Sequence, residues 1–218
     1  MQLLDIDDFM LDVITVGSFQ TNCYMLWNKN SKGCIVIDPG GSVDKILEFI
    51  SDKKLDVKFI INTHGHDDHI GGNRDIRKIT GAKVLVGEKD AYKLLNSQDK
   101  FKILKKMGGT DDLQADDILK SGDKIEVDGL ALDVVETPGH SIGGISLIWR
   151  YGKVVFTGDT LFKCGIGRYD FDDADELVLW NSIFEKLFVL ENDFIVCSGH
   201  GDITTIGVEK ARYAKKFV

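Results

Sequence analysis

The chain has 218 residues, 43% hydrophobic and 28% charged, a balance that excludes disorder, collagen and coiled coil as its main architecture. Its 27 Lys and Arg against 35 Asp and Glu leave a formal charge of −8, so it would gather phosphates against its own field and reads as no nucleic-acid binder. No run of 18 apolar residues exists, and the acidic start MQLLDIDDFMLDVITVG lacks the basic region of an export signal; the expectation is a cytoplasmic protein without a membrane span, its four cysteines reduced.

Short β-rich runs open the chain at 11–16, 21–27 and 33–37, parted by turn-prone residues as in a meander. After Asp38-Pro39-Gly40-Gly41, segment 42–51 has Val43, Ile46, Leu47 and Ile50 at helical spacing, with Ser42 as its N-cap. Residues 58–62 form an apolar strand, 68–79 a helix weakened by Gly71-Gly72, and 83–86 a further strand. Segments 88–95 and 100–107 read as helical pieces, and 107–117 is the loosest stretch. A second β-rich block follows at 123–127, 130–136, 145–149 and 153–156. Segment 173–190 carries an apolar helical stripe at Leu177, Trp180, Ile183, Phe184 and Leu187. A last strand at 193–198 and a last helix at 207–216 complete the pattern. Cys23, Cys34 and Cys197 read as small buried hydrophobes, while Cys164 falls on a loop. β-rich blocks followed by helices thus occur twice. That gives an α/β (α+β) chain compatible with two sheets face to face and helices outside, a four-layer αββα sandwich.

Three of the five histidines lie in one hexapeptide, His64-Gly65-His66-Asp67-Asp68-His69, directly after a predicted strand. In an extended segment, residues 64, 66 and 68 point to one side, and His69 can swing round from the start of a helix. Imidazole and carboxylate together suit zinc or another borderline divalent metal. His140, Asp159 and His200 also end predicted strands beside glycine, where strand-ended chemistry gathers. Five histidines with Asp68 and Asp159 make seven donors, more than one tetrahedral zinc needs and enough for two ions with a bridging carboxylate. Two divalent ions less two aspartates and a hydroxide leave a positive site, suited to an anionic substrate or a developing oxyanion.

In this order Asp38, His64-x-His66-x-Asp68-His69, His140, Asp159 and His200 resemble the metallo-β-lactamase superfamily over residues 36–201. Within it the chain is most similar to glyoxalase II and its shorter, single-domain hydrolase relatives. The matching strings are THGHDDHIGG at 63–72, TPGHS at 137–141, FTGDTLF at 156–162, GIGR at 165–168 and GHG at 199–201. The resemblance implies one αββα domain over 1–218 with its metals in a groove at one sheet edge, and without the C-terminal helical domain that binds glutathione in glyoxalase II proper. It implies His64, His66 and His140 on one ion, Asp68, His69 and His200 on the other, and Asp159 bridging. Asp38 would stand behind them, steadying a ligand histidine.

The implied activity is hydrolysis of a small-molecule thioester, such as an S-2-hydroxyacyl glutathione, by hydroxide held between two divalent ions, zinc first, with iron or manganese as alternatives. Asp68 and Asp159 are the carboxylates expected to orient that hydroxide and its ions. A thiol of pKa about 8.5 leaves as thiolate without a general acid. The rival activities are a mononuclear iron dioxygenase acting on a persulfide through His64, His140 and Asp159, another ester or lactone hydrolase, and a metal-binding protein of weak activity. Arg168 and Tyr169 lie on the loop past Asp159 as a candidate hold on the substrate, with an ion pair to Asp170 or Asp172 as the alternative for Arg168.

Overall fold

Alternate side chains of each strand face opposite ways, and the burial pattern shows which layer each meets. The computed structural model describes residues 1–96 and 114–214. Strands β1 (Gln2–Ile6), β2 (Phe9–Val16), β3 (Thr21–Asn28) and β4 (Gly33–Ile37) run antiparallel to one another in chain order. Helix α1 (Val43–Lys53) carries the chain over to β5 (Asp56–Asn62), which lies parallel to β4. Beyond it come α2 (Asp67–Ile70), α3 (Asn73–Thr80), β6 (Lys83–Gly87), a single 3-10 turn at Glu88–Asp90, α4 (Ala91–Asn96) and β7 (Asp117–Leu119). β5, β6 and β7 are parallel, completing a first sheet in the order β1 to β7.

The second sheet is built from β8 (Lys124–Val127), β9 (Leu130–Glu136), β10 (Ile145–Trp149) and β11 (Val154–Gly158), an antiparallel meander. After the small hairpin of β12 (Leu161–Phe162) and β13 (Gly165–Ile166), α5 (Glu176–Ser182) passes into a π-helical turn at Ile183–Leu187. Strand β14 (Ile195–Ser198) then lies parallel to β11, with β15 (Thr204–Thr205) on its far side and α6 (Ile206–Tyr213) after it.

Tyr24, Leu26, Ile35 and Ile37 of the first sheet meet Leu132, Val134, Leu147, Trp149 and Phe156 of the second in one buried cluster between the sheets. The opposite faces of β3 and β4, Cys23, Met25, Cys34 and Val36, pack beneath Ile46 and Ile50 of α1 and Ile76 of α3. On the other side Ile148, Val155 and Val196 pack beneath Leu179, Trp180 and Ile183 and Ile206 of α6. The molecule is therefore the four-layer αββα sandwich expected of the sequence. Cys23, Cys34 and Cys197 are buried, as small hydrophobes should be, and Cys164 is exposed.

Several local expectations are corrected. The single helix at 68–79 is two helices, because Gly71 and Gly72 press against the Asp38–Gly41 turn: Gly72 N–H donates to Pro39 O at 2.7 Å, and a Cβ there would lie 2.5 Å from that oxygen. Ser42 occupies the N-cap position of α1 in a left-handed conformation, but its side chain makes no cap; its hydroxyl accepts from Gly17 N–H at 3.1 Å. The helix at 173–190 begins at Glu176 on the cap Asp175, whose carboxylate accepts from Val178 N–H, and Leu177 of the stripe is 74% exposed while Leu179 is buried in its place. β1, β7 and β15, at or near sheet edges, are too short or too polar to stand out by pattern. The helical piece at 100–107, most of the loose stretch at 107–117, and residues 215–216 of the last helix lie outside the described residues.

Candidate metal centre

Five strands deliver the polar residues to one edge of the sandwich. Asp38 follows β4, Thr63 and His64 follow β5, His140 lies past β9, Asp159 directly past β11, and His200 just past β14. The two sheets are joined at this edge. Asn22 N–H donates to Gly199 O at 2.7 Å, Tyr24 hydroxyl to Ser198 O at 2.7 Å, and Thr21 pairs with His200 as an isolated bridge. The hexapeptide is not extended throughout, as its spacing suggested. His66 is the extended residue ahead of α2, and Asp68 and His69 sit in that helix, which turns them back beside His64.

All seven expected donors come together. His66 Nδ1 lies 3.0 Å from both His64 Nε2 and His140 Nε2. His69 Nε2 lies 3.3 Å from His200 Nε2, and Asp68 Oδ2 lies 3.3 Å from His200 Nε2. Asp159 stands between these groups, with Oδ1 3.4 Å from His69 Nε2 and Oδ2 3.5 Å from both His140 Nε2 and His200 Nε2. The trios His64/His66/His140 and Asp68/His69/His200 each hold their donor atoms within 4.8 Å of one another, as do His64, His69 and Asp159.

Partners behind the rings fix which nitrogen faces inward. A carbonyl oxygen only accepts, so His140 Nδ1–H donates to Arg168 O at 2.8 Å and His200 Nδ1–H to Phe19 O at 3.0 Å, leaving both Nε2 atoms toward the centre. Thr63 hydroxyl donates to Asp38 Oδ2 at 2.6 Å and so accepts from His64 Nδ1–H at 3.2 Å. Asp38, held in the left-handed region at φ 52, also accepts from Thr63 N–H at 2.7 Å and faces His69 Nδ1 at 3.0 Å. It lies behind the cluster.

Electrostatics divide the histidines. Burial pushes His64 well below the ordinary imidazole value, takes His66 down to about 4 and lowers His140. Burial opposes charge on His69 and His200 too. At His69 the carboxylates of Asp38 and Asp159 outweigh it and raise the ring well above its ordinary value; at His200 hydrogen bonds to Asp159 and Asp68 raise it to about 10. Burial likewise resists the charge of Asp159, but His69 and His200 hold its carboxyl well below the carboxylate range; Asp68, chiefly through His200, is lowered as well. Asp159 Oδ1 is buried and accepts no hydrogen bond among the described residues. A buried carboxylate whose two oxygens both face imidazole nitrogens fits the donor set of a borderline divalent ion.

Arg168 and Tyr169 stand apart from the cluster. The Arg168 guanidinium makes two 2.9 Å contacts to Asp170 and lies 4.7 Å from the Phe171 ring, and it reaches the centre only through its carbonyl; Tyr169 is exposed. Three residues escaped the sequence reading. Phe171 sets its ring 5.1 Å from His66 and 5.5 Å from His140, and Phe19 supplies the carbonyl behind His200. Asp90 is buried behind the hexapeptide, accepting from Gly65 N–H. None carries a motif, so only the fold reveals them.

A family model described as metallo-beta-lactamase superfamily matches residues 16–200. The chain is 36% identical over 202 residues to the hydroxyacylglutathione hydrolase GloC of Haemophilus influenzae, covering 92% of this chain and 94% of that one. Among solved structures, it is similar to the B3 metallo-beta-lactamase BLEG-1, with a TM-score of 0.83, 33% identity, and coverage of 93% and 97% of the two chains. It is also similar to TTHA1623, solved in a di-iron-bound form, with a TM-score of 0.78, 28% identity, and coverage of 92% and 97%.

Proposed function

The chain belongs to the metallo-beta-lactamase superfamily, and on that premise we propose that it is a hydrolase using two divalent ions, zinc first among them, to cleave a small-molecule hydroxyacyl thioester of the glutathione type. The observation that carries this reading is the place of Asp159, one oxygen toward His69 and the other toward both His140 and His200, between two complete trios. GloC, with an activity of this kind in its name, and TTHA1623, solved with two irons, support it.

His64, His66 and His140 would hold one ion, Asp68, His69 and His200 the other, and Asp159 both. Such ions, when bound, supply water ionised near neutral pH and polarise a carbonyl oxygen. The chain's own groups do the orienting. Asp38 and the carbonyls of Arg168 and Phe19 keep the rings of His69, His140 and His200 turned inward, so little reorganisation is left to the reaction. Asp68 Oδ2, already within reach of Thr21 hydroxyl at 3.4 Å and His200, is placed to accept a hydrogen bond from the attacking water and aim it. Phe171 packs its ring against those of His66 and His140. The departing thiolate needs no proton from the protein.

A second reading, a mononuclear iron dioxygenase acting on a persulfide, draws on the closeness of His64, His140 and Asp159, whose imidazole rings lie 4.9 Å apart and whose carboxylate reaches His140 Nε2 at 3.5 Å. Metal analysis of the purified chain, paired with thiol release from S-lactoylglutathione, separates the two. About two ions per chain and metal-dependent thiol release are expected. One tightly held iron, oxygen uptake with a persulfide and no thioester cleavage would replace the first reading by the second.

A further inference from the structure

Asp90 is fully buried and takes no part in the chemistry above. It ends the 3-10 turn that leaves β6, a strand of the first sheet. Its Oδ2 accepts from Gly65 N–H and from Ser141 hydroxyl, both at 2.7 Å. Its Oδ1 accepts from Gly143 N–H at 2.9 Å and faces Lys93 Nζ at 3.2 Å. Lys93 is in turn held by Asp173 at 2.6 Å. A buried carboxylate with three hydrogen bonds and a paired cation is satisfied at every lone pair and therefore stiff.

The placement of these contacts is specific. Gly65 stands between His64 and His66, and Ser141 directly follows His140. The first loop leaves the first sheet and the second loop leaves the second sheet; no strand ladder joins them, and the backbone bond from Ile145 N–H to Thr63 O at 2.8 Å ties them only at their bases. Yet the donor atoms of the two loops meet at His66 Nδ1, 3.0 Å from His64 Nε2 and 3.0 Å from His140 Nε2. Asp90 grips both loops one residue away from those donors. The other trio is anchored elsewhere, His69 on Asp38 and His200 on the Phe19 carbonyl.

We propose that Asp90 is a positioning residue that fixes the His64–His66 loop against the His140 loop, and thereby sets metal affinity at the His64/His66/His140 trio while leaving the Asp68/His69/His200 trio largely untouched. The inference rests on the two-ion reading given above. In Asp90→Asn the amide offers one acceptor oxygen and one NH2 group, so at least one of the gripping N–H or O–H donors faces another donor, and Lys93 keeps only Asp173.

The test uses the full chain, stripped with a chelator and titrated with Co2+ by visible absorption and with Zn2+ against a competing chelator. Asp90→Asn should weaken one of the two sites by about 10- to 100-fold and the other by no more than about threefold. Loss of a similar size after combination with His200→Ala, but little further loss after combination with His140→Ala, locates the effect at the predicted trio. If Asp90→Asn does not fold, Ser141→Ala removes one hydrogen bond and no charge, and should show the same one-sided loss at a smaller, several-fold size. Equal weakening of both sites, unchanged affinities in a folded variant, or full loss persisting beside His140→Ala would overturn the proposal. A chain that takes up one ion only would sink the two-ion reading, and the two backgrounds would still decide whether Asp90 acts through His140.

Discussion

Asp159 is the residue on which the centre turns, because both of its oxygens face imidazole nitrogens and one of them accepts no hydrogen bond among the described residues. Asp159→Asn keeps the shape and removes the charge shared by both trios. Turnover should fall at least ~100-fold, with metal content reduced and the far-ultraviolet circular dichroism unchanged. A variant with full metal content and near-normal turnover would take Asp159 out of the site. The donor residues were legible because His64, His140, Asp159 and His200 end apolar strands beside glycine and His66, Asp68 and His69 crowd into the hexapeptide that His64 opens, a local signal. Asp90 was not legible, since its partners Gly65, Ser141 and Gly143 lie up to 53 positions away and only the folded chain brings them to it. Arg168 was half legible: the ion pair with Asp170 was foreseeable from spacing, its carbonyl bond to His140 was not.

At the scale of elements, α5 and the His140 loop form one unit. Asp175 N–H donates to Gly139 O at 2.8 Å, and Ser182 hydroxyl to Pro138 O at 2.6 Å. Gly139 has φ 131, and a Cβ there would stand 2.3 Å from the backbone N and Cα of Leu179. Gly139→Ala therefore has neither an allowed conformation nor room, and should cost roughly 1–3 kcal/mol or more. That should lower the melting temperature by roughly 2–4 °C per kcal/mol, with activity falling as His140 is displaced. Gly81→Ala, at φ 73 with nothing within 4 Å, serves as the control and should cost less. Equal losses in the two variants would deny the contact with α5. Strands inside the sheets were readable because both faces are buried and their runs are apolar. The helix start at Glu176 was not, since Asp173 and Ala174 continue the helical pattern while Asp173 is engaged with Lys93 and Asp175 forms the cap.

At the scale of the molecule, the histidines make the metal-free protein sensitive to pH from both sides. His66, taken down to about 4, and the lowered His64 and His140 hold protons more weakly folded than unfolded. From about 4 up to the ordinary 6.5 the unfolded chain carries more protons, so stability rises with pH. His200, raised to about 10, and the raised His69 do the reverse: above 6.5 the folded chain carries more protons, and stability falls toward pH 10. Asp68 and Asp159, both lowered, add to the loss at the acid end. Thermal melts of chelated protein should peak near the ordinary imidazole value, and bound zinc, which displaces the protons of His69 and His200, should hold up the alkaline limb. A melting temperature that climbs steadily from about pH 5 to about pH 9 without metal would contradict this assignment. Two β-rich blocks each followed by helices made an α/β (α+β) chain legible, and the family resemblance supplied the sandwich, but the seam that closes it was not legible. That seam, Asn22 to Gly199 and Thr21 to His200, joins residues almost the whole chain apart. A ribosome delivers His64, His66 and His69 long before His200, so a nascent chain can offer an ion only a partial and weak grasp. On the two-ion reading, full affinity should arrive only when that seam closes, so an ion should be captured late in folding rather than used to begin it.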